Sequence, residues 1–185
     1  RSGEADALLV AADRNPNTQG CLDLGVGRDG VAAILEACRA GAVKAPVLQG
    51  PEILRVPEAV DAIAKVPFVA VMATHEGPEL DRATVVLPAA LWAEAEGTFT
   101  NFERRVQRLK AAVPPPGDAQ PRWELASGVL QRLGQPLDAA TAREVFALLA
   151  KATPGYGGLD YRALGALGKA LPPAEGAVAA QEARA

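Results

Sequence analysis

Apolar residues follow two rhythms in the first half of the chain. Short, nearly unbroken runs stand at 6–12 (DALLVAA), 43–48 (VKAPVL), 68–73 (FVAVMA) and 84–87 (TVVL). They are too short for helices and lack the alternation of a half-exposed strand, so they predict strands buried on both faces. Between them the spacing becomes helical. Val31, Ile34, Leu35 and Cys38 repeat at i, i+3, i+4 and i+7, with Asp29 placed to cap the start and Gly41 to close the end. Pro57 opens a second helix carrying Val60, Ile63 and Ala64. Strands alternating with helices predict an α/β fold with a parallel sheet of about four strands.

The rhythm changes after residue 113. VPPPG at 113–117 suits neither a helix nor a central strand and reads as a stiff extended connector. Helical patterns follow at 121–133, 137–151 and 159–170, the second with a capping signature from Thr141 to Glu144. Gly155, Gly157 and Gly158 separate the last two, and Pro172-Pro173 stops the third. The final residues are small and polar, and are expected to fray. The predicted organisation is an α/β domain over 1–113 and a connector with a helical extension over 114–185.

Composition narrows the chemistry. Net charge is −3 and aromatic residues make up 4% of 185 positions, which argues against a general nucleic-acid binder. No apolar stretch reaches the length of a membrane span, and the first residues show no secretory leader. Without an initiator Met, the chain reads as a piece of something longer. Two distant cysteines, Cys21 and Cys38, and one histidine argue against a four-ligand zinc site and cannot complete an all-cysteine iron–sulfur cluster.

Four places carry candidate chemistry. Gly25, Gly27 and Gly30 fit GxGxxG ahead of a helix, as in a nucleotide site. The motif stands about a dozen residues beyond the first predicted strand, and Asp29 would face the pyrophosphate. His75 and Glu76 follow the third predicted strand, where α/β sheets place ligands, but no serine or cysteine nucleophile context accompanies them. Cys21 has no cationic neighbour to activate it. The fourth is a basic run, Arg104, Arg105, Arg108 and Lys110, with Glu103 among it. Local spacing leaves the run open between a helix capped at Thr100 and an extended segment.

The stretch VVLPAALWAEAEGTFTNFERRVQR at 85–108 closely resembles a signature of the molybdopterin oxidoreductase superfamily. Residues 11–25 (AADRNPNTQGCLDLG), 34–44 and 114–125 resemble neighbouring family segments, so the likeness covers about residues 5–133. It implies the family's α/β domain. Many relatives place a glycine just after the equivalent of Glu103, which implies an extended segment there and a structural role, with Glu103 paired to Arg104, Arg105, Arg108 or an arginine elsewhere.

Catalytic members, such as formate dehydrogenases and nitrate reductases, hold a molybdenum–pterin cofactor. The branch of the large iron–sulfur subunit of NADH–quinone oxidoreductase keeps the fold without it. Three departures point to that branch: QGPE at 49–52 in place of a Gly-x-Asn-Pro loop, MATHEGPE at 72–79 in place of an Asp-rich segment, and a short helical extension in place of a C-terminal barrel. The resemblance then implies a scaffold domain with no catalytic, cofactor-binding or metal residues of its own. It belongs to an enzyme complex passing electrons from NADH to quinone through iron–sulfur clusters elsewhere in the subunit. Expected partners are the rest of its subunit and its neighbours in the complex, on the cytoplasmic side of the cell membrane, with no nucleic acid and no membrane insertion. The alternatives are a fragment of a catalytic enzyme such as formate dehydrogenase, and a Rossmann-type nucleotide-binding domain.

Overall fold

A computed structural model describes residues 16–26 and 30–172. The predicted first strand at 6–12, the cap at Asp29, the middle glycine Gly27 and the tail from 173 lie outside the described residues. The chain divides into two compact units. One comprises Gly27–Glu96 and Leu109–Ala142; the other comprises Arg1–Val26, Gly97–Arg108 and Arg143–Ala185.

The first of these is the α/β unit. Helix α2 (Gly30–Arg39), strand β1 (Val47–Leu48), helix α3 (Pro57–Ile63), strand β2 (Ala70–Ala73) and strand β3 (Val85–Pro88) follow one another. All three strands are parallel in the order β1-β2-β3. The run at 43–48 yields only a two-residue strand. Pro46 has no N–H to give a ladder, and its carbonyl accepts from Ala70 N at 3.1 Å just ahead of the pairing. All four residues of β2 are buried, as a central strand requires.

One sheet face forms the core. Val69, Val71 and Ala73 pack against Leu35 and Cys38 of α2 and Ala59, Ala62 and Ile63 of α3. Each large aliphatic side chain buried there contributes about 1.5–3 kcal/mol. The expected α2 stripe is only half used, since Val31 and Ile34 remain exposed. Gly41 ends α2 at φ 72°, with Gly41 N bonded to Cys38 O and Ala42 N to Ala37 O. A Cβ on Gly41 would meet nothing within 4 Å. Gly41→Ala is therefore expected to cost only the left-handed penalty, about 1–2 kcal/mol by denaturant titration. After the proline connector comes α4 (Arg122–Arg132), entered from Pro121.

The first element of the other unit among the described residues is α1 (Thr18–Asp23), a short helix that local patterns did not suggest. Strands β4 (Gly97–Thr100) and β5 (Arg105–Leu109) form a hairpin, and β6 (Lys169–Ala170) adds antiparallel to β5. The basic run is thus extended, as the family pattern implied, and the capping-box helix is absent.

Helix α5 (Ala142–Ala152) starts directly after Thr141, so the capping signature outweighed the earlier apolar start at Leu137. It buries Phe146 and Ala150, with Leu149 packed beside them, against Val106, Tyr156, Tyr161, Leu164 and Leu171. The predicted helix at 159–170 is corrected to α6 (Tyr161–Leu164) followed by a return strand. Gly165 at φ 57° ends it, and at Gly168, φ 77°, a Cβ would collide with the Val106 carbonyl. That close approach lets β6 reach β5.

Candidate functional site

The carboxyl ends of the parallel strands are the usual ligand position in such a sheet. Here β1 leads into Gln49-Gly50-Pro51-Glu52 and β2 into Thr74-His75-Glu76-Gly77. His75 is exposed, and its Nδ1 lies 2.9 Å from Thr74 Oγ1. Among the described residues no group of three His, Cys, Asp or Glu could hold a metal ion. Arg55, on the 3-10 turn after β1, reaches Glu79 on the turn after β2, with Nη2–Oε1 at 2.5 Å. The hydrogen bond to Arg55 lowers the Glu79 pKa, and the same bond raises that of Arg55.

Both loop glycines carry a carboxylate on the side where a ligand could approach. A Cβ on Gly50 would collide with the Glu52 carboxylate, and one on Gly77 would meet Glu79 Oε2 at 2.7 Å. An open recess of about 400 Å³ elsewhere in this unit is acidic too, lined by Glu94, Glu96 and Glu124 beside Pro115 and Trp123.

The GxGxxG reading loses its context. Gly25 follows helix α1 rather than a strand, and Gly30 begins α2. Without a strand immediately ahead of it, the motif lacks the setting of a dinucleotide site. Cys21 is half-buried on α1 and Cys38 is a buried core thiol, both reduced.

The basic run resolves into three separate internal roles. Asn101 shapes the hairpin turn: its Oδ1 accepts from Glu103 N at 3.1 Å and Arg105 N at 2.9 Å, while its carbonyl accepts from Arg104 N at 2.9 Å. Arg104 then adopts φ 58°, the single positive φ outside glycine among the described residues. This is the left-handed residue that follows a type I turn in a hairpin of this length. Its side chain enters a buried polar cluster, with Nη1 2.5 Å from Asp23 Oδ1; the two side chains are 15% and 7% exposed. Its Nε donates to Pro172 O at 3.0 Å, and its carbonyl accepts from Leu171 N at 2.9 Å.

The second Asp23 oxygen accepts from the Tyr156 hydroxyl at 3.0 Å, and that hydroxyl lies 2.8 Å from Thr100 Oγ1. Gln19 Nε2 also donates to Asp23 Oδ1, at 2.8 Å, and Thr100 N donates to Asn17 Oδ1 at 2.8 Å. Burial, aided by the Asp23 carboxylate, pushes the Tyr156 pKa up to about 12.

Arg105 donates to Gly168 O at 3.3 Å, and the Arg108 guanidinium stacks 4.5 Å from the Tyr161 ring centre. The expected ion pair of Glu103 is not formed: its side chain is exposed and joins no ion pair among the described residues. The arginine partner is Asp23, 81 positions earlier. Sequence reasoning missed Asp23 and Tyr156, and no local signal marks them. Three of the four cations serve the fold.

Comparison with known proteins assigns this scaffold. The family model "Molybdopterin oxidoreductase" matches residues 8–132. The F420-dependent formate dehydrogenase 1 subunit alpha of Methanococcus maripaludis is 36% identical over 129 residues, 69% of this chain and 19% of that protein. The formate dehydrogenase 2 subunit alpha of the same organism is 47% identical over 92 residues, 49% of this chain and 14% of the relative. Acetylene hydratase from Pelobacter acetylenicus has the same fold, with a TM-score of 0.54 at 17% identity over 71% of this chain and 19% of that one. The chain therefore spans less than a fifth of the length of these proteins.

These relatives correct the expected placement in the NADH–quinone oxidoreductase branch. They are formate dehydrogenase alpha subunits, so the quinone and respiratory-chain reading and its electron-transfer reaction are withdrawn. That reading leaned on two short loops and on the short helical extension in place of a barrel, whereas the similarity to formate dehydrogenase subunits covers up to 69% of the chain. A sheet of parallel strands, a hairpin carrying EGTFTNFERRVQR and a family match over residues 8–132 converge: the chain belongs to the molybdopterin oxidoreductase family.

Proposed function

We propose that the chain is the scaffold segment of a formate-oxidising molybdopterin enzyme, corresponding to part of a formate dehydrogenase alpha subunit. The observation that carries this reading is the 36% identity over 129 residues to such a subunit.

The residues at the carboxyl end of the sheet do not fit the phosphate-bearing tail of a pterin cofactor. A phosphate needs open backbone N–H groups or free cations. Glu52, Glu76 and Glu79 stand there instead, the faces of Gly50 and Gly77 are covered by carboxylates, and Arg55 is already paired with Glu79. No step of formate oxidation is therefore assigned to these residues. In this reading they belong to the scaffold, while metal and substrate are bound by other parts of the polypeptide.

The test uses the full-length protein. Metal analysis and a formate-dependent dye-reduction assay are expected to give stoichiometric molybdenum and activity, and a purified protein lacking both would overturn the reading. Glu52→Gln is expected to leave the molybdenum content unchanged.

A further inference from the structure

Asp23 delivers its carboxylate into a place built by other elements. Arg104 Nη1 meets one oxygen at 2.5 Å, and the Tyr156 hydroxyl donates to the other at 3.0 Å. Gln19 Nε2, on the same helix as Asp23, adds a third donor at 2.8 Å. A guanidinium and a phenol that converge on the two oxygens of one carboxylate, away from water, are the parts of a carboxylate-binding site. Here the ligand belongs to the chain.

The Arg104 and Tyr156 donors are held by bonds in which Asp23 takes no part. The hairpin turn fixes the Arg104 backbone: its N–H donates to Asn101 O at 2.9 Å, and its carbonyl accepts from Leu171 N at 2.9 Å. Its side chain is steered through Nε, which donates to Pro172 O at 3.0 Å. Tyr156 is 2% exposed, and its hydroxyl lies 2.8 Å from Thr100 Oγ1. With the Tyr156 proton given to Asp23, the Thr100 hydroxyl donates to the phenol oxygen and holds it in place. Both donors are thus placed by the hairpin and by the turn after α5, not by α1. Donors ordered before a ligand arrives lose little freedom when it binds.

We propose that Arg104 and Tyr156 form a carboxylate-binding site which Asp23 fills from within the chain, and which takes a free small carboxylate once the Asp23 side chain is cut back. Charge and shape select the ligand. Without Asp23, a guanidinium only 15% exposed has no carboxylate beside it, and an uncompensated charge in such a place favours uptake of an anion. Asp23→Ala removes one carboxyl group, and formate is that group carried on a hydrogen. Chloride has the charge but lacks the two oxygens that meet two separate donors. In the parent chain the tethered Asp23 has a high effective concentration and excludes the free ion. Formate serves here as the smallest carboxylate, whatever reaction the full-length protein performs.

Hydrogen exchange read by mass spectrometry on the full-length protein tests this. Peptides covering residues 97–108 and 153–160 of the Asp23→Ala variant are followed in sodium formate and in sodium chloride at equal ionic strength and neutral pH. Formate is expected to slow their exchange about fivefold relative to chloride, the protection reached when a ligand stands at about four times its Kd. The parent chain is expected to exchange equally in the two salts, and the double variant Asp23→Ala with Arg104→Ala to lose the formate effect. Equal exchange of Asp23→Ala in both salts overturns the proposal. So does a formate effect of the same size in the parent chain or in the double variant. If Asp23→Ala folds poorly in chloride, its refolding yield in the two salts is the readout. A higher yield in formate that again depends on Arg104 supports the site, and a yield no higher in formate overturns it.

Discussion

Arg104→Ala is expected to destabilise the chain by about 3–5 kcal/mol, measured by urea denaturation near neutral pH. The magnitude follows from what the substitution leaves behind. Asp23 is almost fully buried and faces Arg104 at 2.5 Å. Removing the guanidinium strands a carboxylate with only neutral donors, Gln19 and Tyr156, to compensate it. The bond from Arg104 Nε to Pro172 O is lost as well, loosening the end of β6.

The backbone at the same position gives the prediction a second, independent arm. Arg104 sits at φ 58°, where a side chain costs roughly 1–2 kcal/mol relative to glycine. Arg104→Gly removes the same charge but relieves that cost, so it should be less damaging than Arg104→Ala by about that amount. The double variant Asp23→Asn with Arg104→Gly should recover further stability, because no unpaired charge is then buried. Equal losses for the alanine and glycine variants would show that the left-handed turn carries no strain. A loss under about 1 kcal/mol for Arg104→Ala would place the pair in the exposed class of ion pairs.

Arg104 also shows what could and could not be read from the sequence. The extended course of the basic run was legible from the family pattern, but its pairing as a hairpin turning at Asn101 was not. The strands at 68–73 and 84–87 were legible because a run apolar on both faces has few other places to go. The helix that starts after Thr141 was marked by its own residues. What failed was long-range. Asp23 and Arg104 are 81 positions apart, and Tyr156 lies farther still, so no periodicity links them.

Glu103 was the obvious local partner, yet a left-handed Arg104 turns its side chain away from the turn and toward α1. The helix predicted over 159–170 failed for a similar reason. Its apolar spacing is genuine, but the close approach of Gly168 to Val106 belongs to a strand pairing that only the folded chain reveals. Placement in the NADH–quinone branch failed differently, by giving two short loops and the form of the C-terminal extension more weight than the similarity along the chain.

Alkaline titration probes the same cluster from its tyrosine. Tyr156 is buried, and its hydroxyl donates to Asp23 while sharing a hydrogen bond with Thr100. Burial and the neighbouring carboxylate both disfavour a phenolate, so its pKa rises from 10.0 to about 12. The unfolded chain then gives up the phenolic proton at a pH where the folded chain still holds it. Below pH 10 both states are protonated and the stabilisation is fully present. Between pH 10 and pH 12 it is progressively lost, because ionisation favours the unfolded state.

A shift of that size corresponds to roughly 3 kcal/mol, all of it gone once the folded pKa is passed. Urea titrations across this window should show the fall, and ultraviolet phenolate absorbance should show one tyrosine ionising with unfolding rather than before it. Tyr156→Phe supplies the internal control. It loses the bond to Asp23 and so starts less stable, but its stability should lack the Tyr156 share of the alkaline decline. A variant that falls as steeply as the parent chain would mean that other groups, and not Tyr156, carry the alkaline sensitivity. A shallow slope in Tyr156→Phe alone would tie the titration to the hydroxyl that bridges Asp23 and Thr100.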